Sequence, residues 1–378
     1  MSEKQGYRAE LDLNNEQITL ARKHCGAARY AYNYGLRRKQ QAYKAGEKMP
    51  SAIDLHREIN ALKKTDIPWA YEVSKCATQE ALRDLDNAFK HFFRKVALKK
   101  QGKHKGKCGY PKFKSKKKAI GGARFTGSIR VYPDAIQLPR MGLLRLKEHG
   151  YLPMNAHVGS ATISEKAGRW YVSICVHEEQ VEPLPATGPI IGIDLGIKTL
   201  ATCSDGRTFD NPKALRKKIN ALKRASRQHS RKKKGSQKRR YAQRKLAKMH
   251  ARIANVRRDA LNKATSALIA KTKPESERPS VIVLEDLHVS GMLKNRCLSR
   301  AIADVGLYEF RRQIEYKARD AGVVVQFVSR WFPSSKTCSN CGTVKEELSL
   351  SERMFVCECC GLSLDRDLNA ARVLAASV

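Results

Sequence analysis

Ile190-Ile191-Gly192-Ile193-Asp194-Leu195-Gly196-Ile197-Lys198-Thr199-Leu200-Ala201-Thr202 is the stretch whose reading decides the fold. A β-branched apolar run leads to one carboxylate held between two glycines. A second apolar run, 199–203, follows at once, and Asp205-Gly206 is a hairpin-turn signal ahead of a third short strand at 207–209. An unpaired carboxylate on a buried strand is costly. Asp194 therefore reads either as a metal ligand or as a cap on the turn that follows the strand.

Two further acidic stretches separate these readings. Ser280-Val-Ile-Val-Leu-Glu285-Asp286-Leu287 is again an apolar β run that ends in carboxylates. Side chains alternate along a strand, so Glu285 and Asp286 face opposite ways and only one of them can join Asp194. The third stretch is Leu364-Asp365-Arg366-Asp367-Leu368-Asn369-Ala370-Ala371, which opens a good helix. Asp365 suits its N-cap, which leaves Asp367, in the first turn, as the candidate ligand. Three carboxylates on a strand, a strand and a helix fit a two-metal phosphodiester site. Mg²⁺ prefers hard oxygen ligands, and two such ions about 4 Å apart can activate a water and stabilise the leaving oxygen. The ten histidines are scattered, and no Ser/His/Asp or Cys/His constellation competes.

The cysteines carry a separate signal. Cys338-Ser-Asn-Cys341-Gly is followed by Cys357-Glu-Cys-Cys360-Gly, across a hydrophilic loop and the strand-like Met354-Phe355-Val356. Paired cysteines repeated at this spacing read as a tetrahedral zinc ribbon, with Cys338, Cys341, Cys357 and Cys360 as ligands. Four thiolates leave no open position for water, so one structural Zn²⁺ is expected. Cys359 is extra. The remaining six of the eleven cysteines are scattered, which fits a reducing compartment better than a disulfide framework.

Charge points to the partner. The chain of 378 residues carries a net +38, a balance suited to phosphate backbones or an anionic surface. Residues 213–258 alone hold 20 Lys or Arg and no Asp or Glu. Leu215, Ile219 and Leu222 keep helical spacing, as do Leu246, Met249, Ile253 and Val256, and Gly235-Ser236 breaks the run between them. The pattern predicts a helical hairpin with one apolar stripe per helix and basic outer faces for nucleic acid. Arg216, Lys217, Arg224 and Arg227 are candidate contacts. No apolar run approaches the ~20 residues of a membrane-spanning helix, and the opening Met-Ser-Glu-Lys-Gln is no hydrophobic signal segment. A soluble, cytoplasmic protein without a membrane partner is expected.

In the N-terminal half, residues 5–13 read as a strand and Asn14 or Asn15 as a helix cap. Apolar residues recur at helical steps over roughly 14–100, broken at Pro50-Ser51, so three helices are expected. Lysine and glycine dominate from Lys99 to Lys118, interrupted by Tyr110-Pro-Lys112-Phe-Lys114, a mixture suited to neutralising phosphates and stacking bases. Short alternating segments over 122–182 predict a small antiparallel β-barrel, which the strand at 5–13 would join.

The order Gly-Ile-Asp-Leu-Gly, Leu-Glu-Asp-Leu, Pro-Ser-Ser-Lys-Thr-Cys-Ser-Asn-Cys-Gly, Cys-Gly and Asp-Arg-Asp-Leu-Asn-Ala-Ala resembles the TnpB (OrfB) family over nearly the whole chain. These are transposon-encoded RNA-guided DNA nucleases related to type V CRISPR effectors. The resemblance implies an α/β multidomain fold: a wedge-type β-barrel at 1–13 and 101–185, and a helical recognition lobe at 14–100. A RuvC-like nuclease domain of RNase H fold would occupy 186–337 and 361–378, with a basic helical insertion at 213–273 and the zinc ribbon at 338–360. It implies that Asp194, Glu285 and Asp367 are the catalytic, Mg²⁺-binding acids. It also implies a guide RNA copied from the transposon end, a prokaryotic, nucleoid-associated setting, and target double-stranded DNA bearing an adjacent motif. Lys75 and Gln79 resemble the family's motif-reading positions. A nuclease-silent RNA-guided repressor and a strand-joining transposase are the rival readings.

Overall fold

In the computed structural model, which describes residues 2–116, 120–154, 156–179, 182–349 and 351–378, the chain divides into two units, Met1–Gln180 and Val181–Val378. Residues 117–119, the end of the lysine-rich stretch, lie outside the described set.

The first unit opens with strand β1 (Ser2–Asp12), followed by helices α1 (Asn15–Lys44), α2 (Ala52–Leu62) and α3 (Lys75–Lys100). Asn14 and Ser51 each accept a bond from the third residue of the helix they precede, and that residue's side chain bonds back. The sequence left the first cap open between Asn14 and Asn15 and marked the second start only by Pro50-Ser51; the reciprocal bonds make each a capping box. The strands β2 (Gly122–Phe125), β3 (Arg130–Val131), β4 (Ala135–Leu138), β5 (Gly142–Leu146), β6 (His157–Lys166) and β7 (Arg169–Glu179) complete the unit. With β1 they form one antiparallel sheet ordered β2-β6-β7-β1-β5-β4-β3. No ladder among the described residues joins β2 to β3, so this is an open sheet rather than the closed barrel expected from strand spacing. A single core runs through both layers, from Leu36, Leu55, Leu82 and Leu85 on the helices to Phe125, Ile163 and Val172 on the strands. Helices and sheet here bury their apolar faces against each other, and neither layer is a core of its own.

The second unit is built on strands β8 (Ile191–Leu195), β9 (Thr199–Cys203) and β10 (Thr208–Asp210). Helices α4 (Ala214–Ser230) and α5 (Gln237–Ile269) come next, then β11 (Val281–Glu285), helices α6 (Val289–Met292), α7 (Ser299–Val305) and α8 (Leu307–Arg319), and β12 (Val324–Val328). The chain ends with the hairpin β13 (Met354–Val356) and β14 (Ser363–Asp365) and with helix α9 (Arg366–Ala375). The five-stranded sheet is ordered β10-β9-β8-β11-β12. Its first three strands are antiparallel, while β11 lies parallel to both β8 and β12. Ile193, Leu200, Ile282 and Leu284 on the strands and Leu268, Phe310 and Ile314 on the helices make its core.

The basic run forms the expected helical hairpin, α4 and α5, on a small core of Ala214, Leu222 and Ile253. Val256, expected on the inner stripe, is 44% exposed. The hairpin is held at its base instead. Buried Asp304 accepts from the backbone N–H of Leu215 (2.9 Å) and Arg216 (3.0 Å) and pairs with Arg257 (2.9 Å). Helix α4 has no cap from its own Lys213, so this carboxylate from α7 satisfies the first turn's orphan donors.

Candidate metal centres and the family of the chain

The two periodicities of the second unit bring its acids together. Gly192 and Asp194 are two residues apart on β8 and so face the same way. On α9, Asp367, Ala371 and Ala375 are spaced by four and share a face. The faces meet at Gly192: a Cβ there would stand 2.0 Å from the Ala371 carbonyl oxygen and 2.5 Å from the Ala375 nitrogen. The missing side chain therefore lets α9 lie directly on β8, which sets Asp367 near Asp194. Parallel pairing of β11 with β8, with Leu284 opposite Ile193, brings Glu285 in from the neighbouring strand.

Electrostatics record this proximity. The Asp194 carboxyl is pushed up to about 7 by burial, then by the charges of Asp367 and Glu285, with Arg366 opposing. Burial and like charge disfavour the ionised form of such a group, and a bound cation would restore it. Asp286 goes elsewhere, as strand alternation requires. It is paired with Arg311 (2.7 Å) and Arg330, which hold it below the usual carboxylate range. Asp365 caps α9 by accepting from the N–H of Asp367 (3.0 Å) and Leu368 (3.1 Å). Its oxygen is thereby committed to the helix.

Three contributors carried no sequence signal of their own. The Ser334 hydroxyl, on a buried residue, donates to Glu285 Oε1. Arg366 reaches Asp367 Oδ1 at 3.8 Å, and its charge favours the ionised form of Asp194. Asn369 is fully buried and bonds to the backbone on either side of Cys338. Both Ser334 and Asn369 lie inside quoted motifs, yet spacing alone assigns them no role.

The four cysteines converge as their spacing predicted. The sulfurs of Cys338, Cys341, Cys357 and Cys360 lie within 4.8 Å of one another, with Cys338–Cys360 at 3.6 Å and Cys341–Cys357 at 3.5 Å. A tetrahedron with Zn–S bonds of about 2.3 Å has its sulfurs about 3.8 Å apart, so the donor set fits zinc. Thr343, 3.3 Å from Cys341, contributes most to holding that thiol down to about 6, ready to act as a thiolate. Cys359 is exposed and outside the cluster. Among the described residues only these cysteines form so tight a ligand group, and the three carboxylates stand wider.

The nucleic-acid candidates are spread over both units. Arg216, Lys217, Arg224 and Arg227 are all exposed on α4. Lys75 is exposed at the start of α3 and lines a cleft of about 500 Å³ with Lys63, Tyr71 and Arg140, while Gln79 sits half-buried one turn on. Lys112 is exposed. Lys114 is exposed too; Asn33 pairs with its backbone N–H (2.8 Å) and carbonyl (2.9 Å), and its ammonium lies 3.9 Å from the Tyr32 ring centre. Lost hydration there lowers its pKa. No helix is long and apolar enough to cross a membrane among the described residues.

Comparison with known proteins identifies the family of the chain. A family model described as "Probable transposase" (OrfB, IS605) matches residues 173–296, and a Cas12f1-like "TNB domain" matches 308–374. A "Helix-turn-helix domain" matches 1–48, which here is the strand β1 and the single long helix α1. The fold is similar to that in a cryo-EM structure of a Cas12f1–sgRNA–target DNA complex, with TM-score 0.56 and 12% identity over 99% of both chains. A Streptomyces pristinaespiralis protein named "Putative RNA-guided DNA endonuclease" is 36% identical over 99% of this chain and 90% of its own length. The similarly named InsQ of Escherichia coli K12 is 31% identical over 100% of this chain and 93% of its own. With near-complete coverage at this identity, and the acids and cysteines gathered as described, the chain belongs to the TnpB (OrfB, IS605) family.

Proposed function

We propose that the chain is a transposon-encoded, RNA-guided DNA endonuclease that cuts its target at one Mg²⁺-dependent site formed by Asp194, Glu285 and Asp367. The observation that carries this reading is the approach of those three carboxylates from β8, β11 and α9: burial raises Asp194 first, and the charges of Asp367 and Glu285 raise it further. The sheet, with β8, β9 and β10 antiparallel and β11 and β12 running parallel to β8, supports a RuvC-like reading of this domain. The names of the full-length relatives support the activity.

Within this reading each residue has a task. Asp194, Glu285 and Asp367 supply hard oxygen ligands. Bound there, divalent ions would activate a water and stabilise the leaving oxygen. Ser334 fixes one Glu285 oxygen, Asp365 holds the first turn of α9 in place, and the proton on Asp194 must leave before a cation binds. The cysteine cluster would hold one structural Zn²⁺. The exposed face of α4 and α5 would neutralise the phosphates of the guide RNA or its duplex with DNA. The cleft lined by Lys75, with Gln79 one helical turn on, would meet the adjacent motif of the target duplex, and base pairing would supply most of the sequence specificity. A nuclease-silent binder would keep those basic surfaces without needing the acids.

The test is incubation of the protein and its copurified RNA with Mg²⁺ and a plasmid bearing the matching target. Cleavage that is lost in Asp194→Ala, Glu285→Ala and Asp367→Ala, with target retention preserved, is expected. Retention without cleavage by the unaltered protein would leave the repressor reading, and strand joining would leave the transposase.

A further inference from the structure

The cysteine cluster and the acid cluster are joined by more than sequence. Strand β14 of the knuckle hairpin runs straight into α9, so the segment that follows Cys360 ends in the cap of the helix carrying Asp367. Two buried side chains add cross-links. The Asn369 amide nitrogen donates to the Thr337 carbonyl (2.7 Å), and its amide oxygen accepts from the Ser339 N–H (2.9 Å). Both bonds grip the residues flanking Cys338, and Asn369 lies two positions beyond Asp367 on the same helix. Ser334, just before the first knuckle, donates its hydroxyl to Glu285. Asn369 and Ser334 are 0% and 2% exposed, so neither has water as an alternative partner.

This arrangement has a mechanical meaning. The path of residues 334–339 depends on closure of the knuckle, where Cys338 N–H donates to Thr343 O (2.9 Å) and Gly342 N–H to Cys338 O (3.0 Å). The same segment holds Glu285 through Ser334 and the first turn of α9 through Asn369. We propose that Ser334 and Asn369 are positioning residues that couple the geometry of the acid cluster to closure of the four-cysteine knuckle. Zinc occupancy at one site then sets divalent-ion affinity at the other. The inference rests on the acids being the divalent-ion site. An open knuckle leaves a buried amide unpaired on both sides, and the side chain can recover its bonds only by moving α9.

The test uses the full-length protein with its copurified RNA and Mn²⁺ as the probe, titrated by electron paramagnetic resonance. The unaltered protein should bind Mn²⁺ in a manner abolished by Asp194→Asn. After zinc is withdrawn with a chelator and the chelator removed, Mn²⁺ affinity should fall roughly 10-fold or more, and amide exchange over 366–371 should accelerate. Asn369→Ala and Ser334→Ala should retain zinc by elemental analysis yet bind Mn²⁺ with a similar loss. In Asn369→Ala, zinc withdrawal should then change little further. If Asn369→Ala cannot hold zinc, Asn369→Asp carries the same measurement, since it keeps the acceptor for Ser339 and loses the donor to Thr337. Zinc-loaded variants that bind Mn²⁺ like the unaltered protein, or zinc withdrawal without effect on Mn²⁺, would overturn the coupling alone. Absence of Asp194-dependent Mn²⁺ binding in the unaltered protein would overturn the metal-site reading and the coupling with it.

Discussion

Replacing Gly192 by alanine adds one methyl group at the contact that seats α9 on β8. That carbon would stand 2.0 Å from the Ala371 carbonyl oxygen, against an ordinary contact distance of roughly 3.5 Å. The obstructing atoms are backbone, so no side chain can swing away. The helix must lift or slide by about 1.5 Å, the difference between those distances. Overpacking of this kind costs about 1–3 kcal/mol. At about 2–4 °C per kcal/mol for a unit of this size, the melting temperature should fall by roughly 2–12 °C. Asp367 rides on the displaced helix, and a misplacement near 1 Å can cost on the order of 100-fold in rate. Single-turnover plasmid cleavage should therefore drop about that far, while guide-RNA binding stays near normal. Gly6→Ala in β1, where nothing lies within 4 Å of the added carbon, is the control and should be almost silent. A Gly192→Ala protein that melts and cleaves like the unaltered one would refute the claim that this contact sets the acid geometry.

Three other outcomes follow from the same structure. Elemental analysis should find one zinc per chain, lost in Cys341→Ser or Cys360→Ser and kept in Cys359→Ser; the reverse pattern at 359 and 360 would reassign the ligand. Neutralising Arg216, Lys217, Arg224 and Arg227 together should weaken RNA binding and reduce the salt slope by roughly 3, since each single-strand phosphate contact contributes about 0.7. Motif choice in a library cleavage assay should stay as it was, whereas changes at Lys75 and Gln79 should alter it. In magnesium-free buffer, folded Asp194 keeps its proton up to about 7, whereas the ordinary value is 3.8. The folded state thus binds the extra proton, and this acid's contribution to stability is lost as pH rises from about 4 to 7. Asp194→Asn should gain in melting temperature relative to the unaltered protein across that range, and a constant difference would contradict the shift.

The readable parts of this molecule are those where one local rule fixes one outcome. Alternation on β11 sent Asp286 away from Asp194's side, where it met Arg311 and Arg330. The Asn14 and Ser51 caps, and the cysteine spacing, are equally local. What the sequence could not show was tertiary choice. Val256 keeps helical spacing with Ile253, but α5 meets too narrow a surface to cover both. Strand spacing over 122–182 marked most of the strands without saying that β2 and β3 would stay at the edges of an open sheet. Nothing in the sequence showed that Asn33 would hold the Lys114 backbone or that its ammonium would lie over the Tyr32 ring. Ser334 and Asn369 acquire meaning only from neighbours distant in sequence.

The five-stranded sheet has a consequence for how this architecture changes in size. Helices α4 and α5 leave after β10 and return before β11, and the knuckle leaves after β12 and returns before α9. The sheet asks only that β11 come back beside β8 and that α9 settle over Gly192. The entropy of closing a loop grows as the logarithm of its length, about 0.6 kcal/mol for each doubling. Material can therefore be added to or trimmed from the outer ends of the hairpin at almost no expense to the sheet, provided the Asp304 anchor at its base survives. The knuckle has no such freedom near Thr337 and Ser339, because Asn369 measures that distance from inside the helix. Length variation among relatives should accordingly collect between α4 and α5 and in the loop between Cys341 and Cys357, and stop short of both anchors.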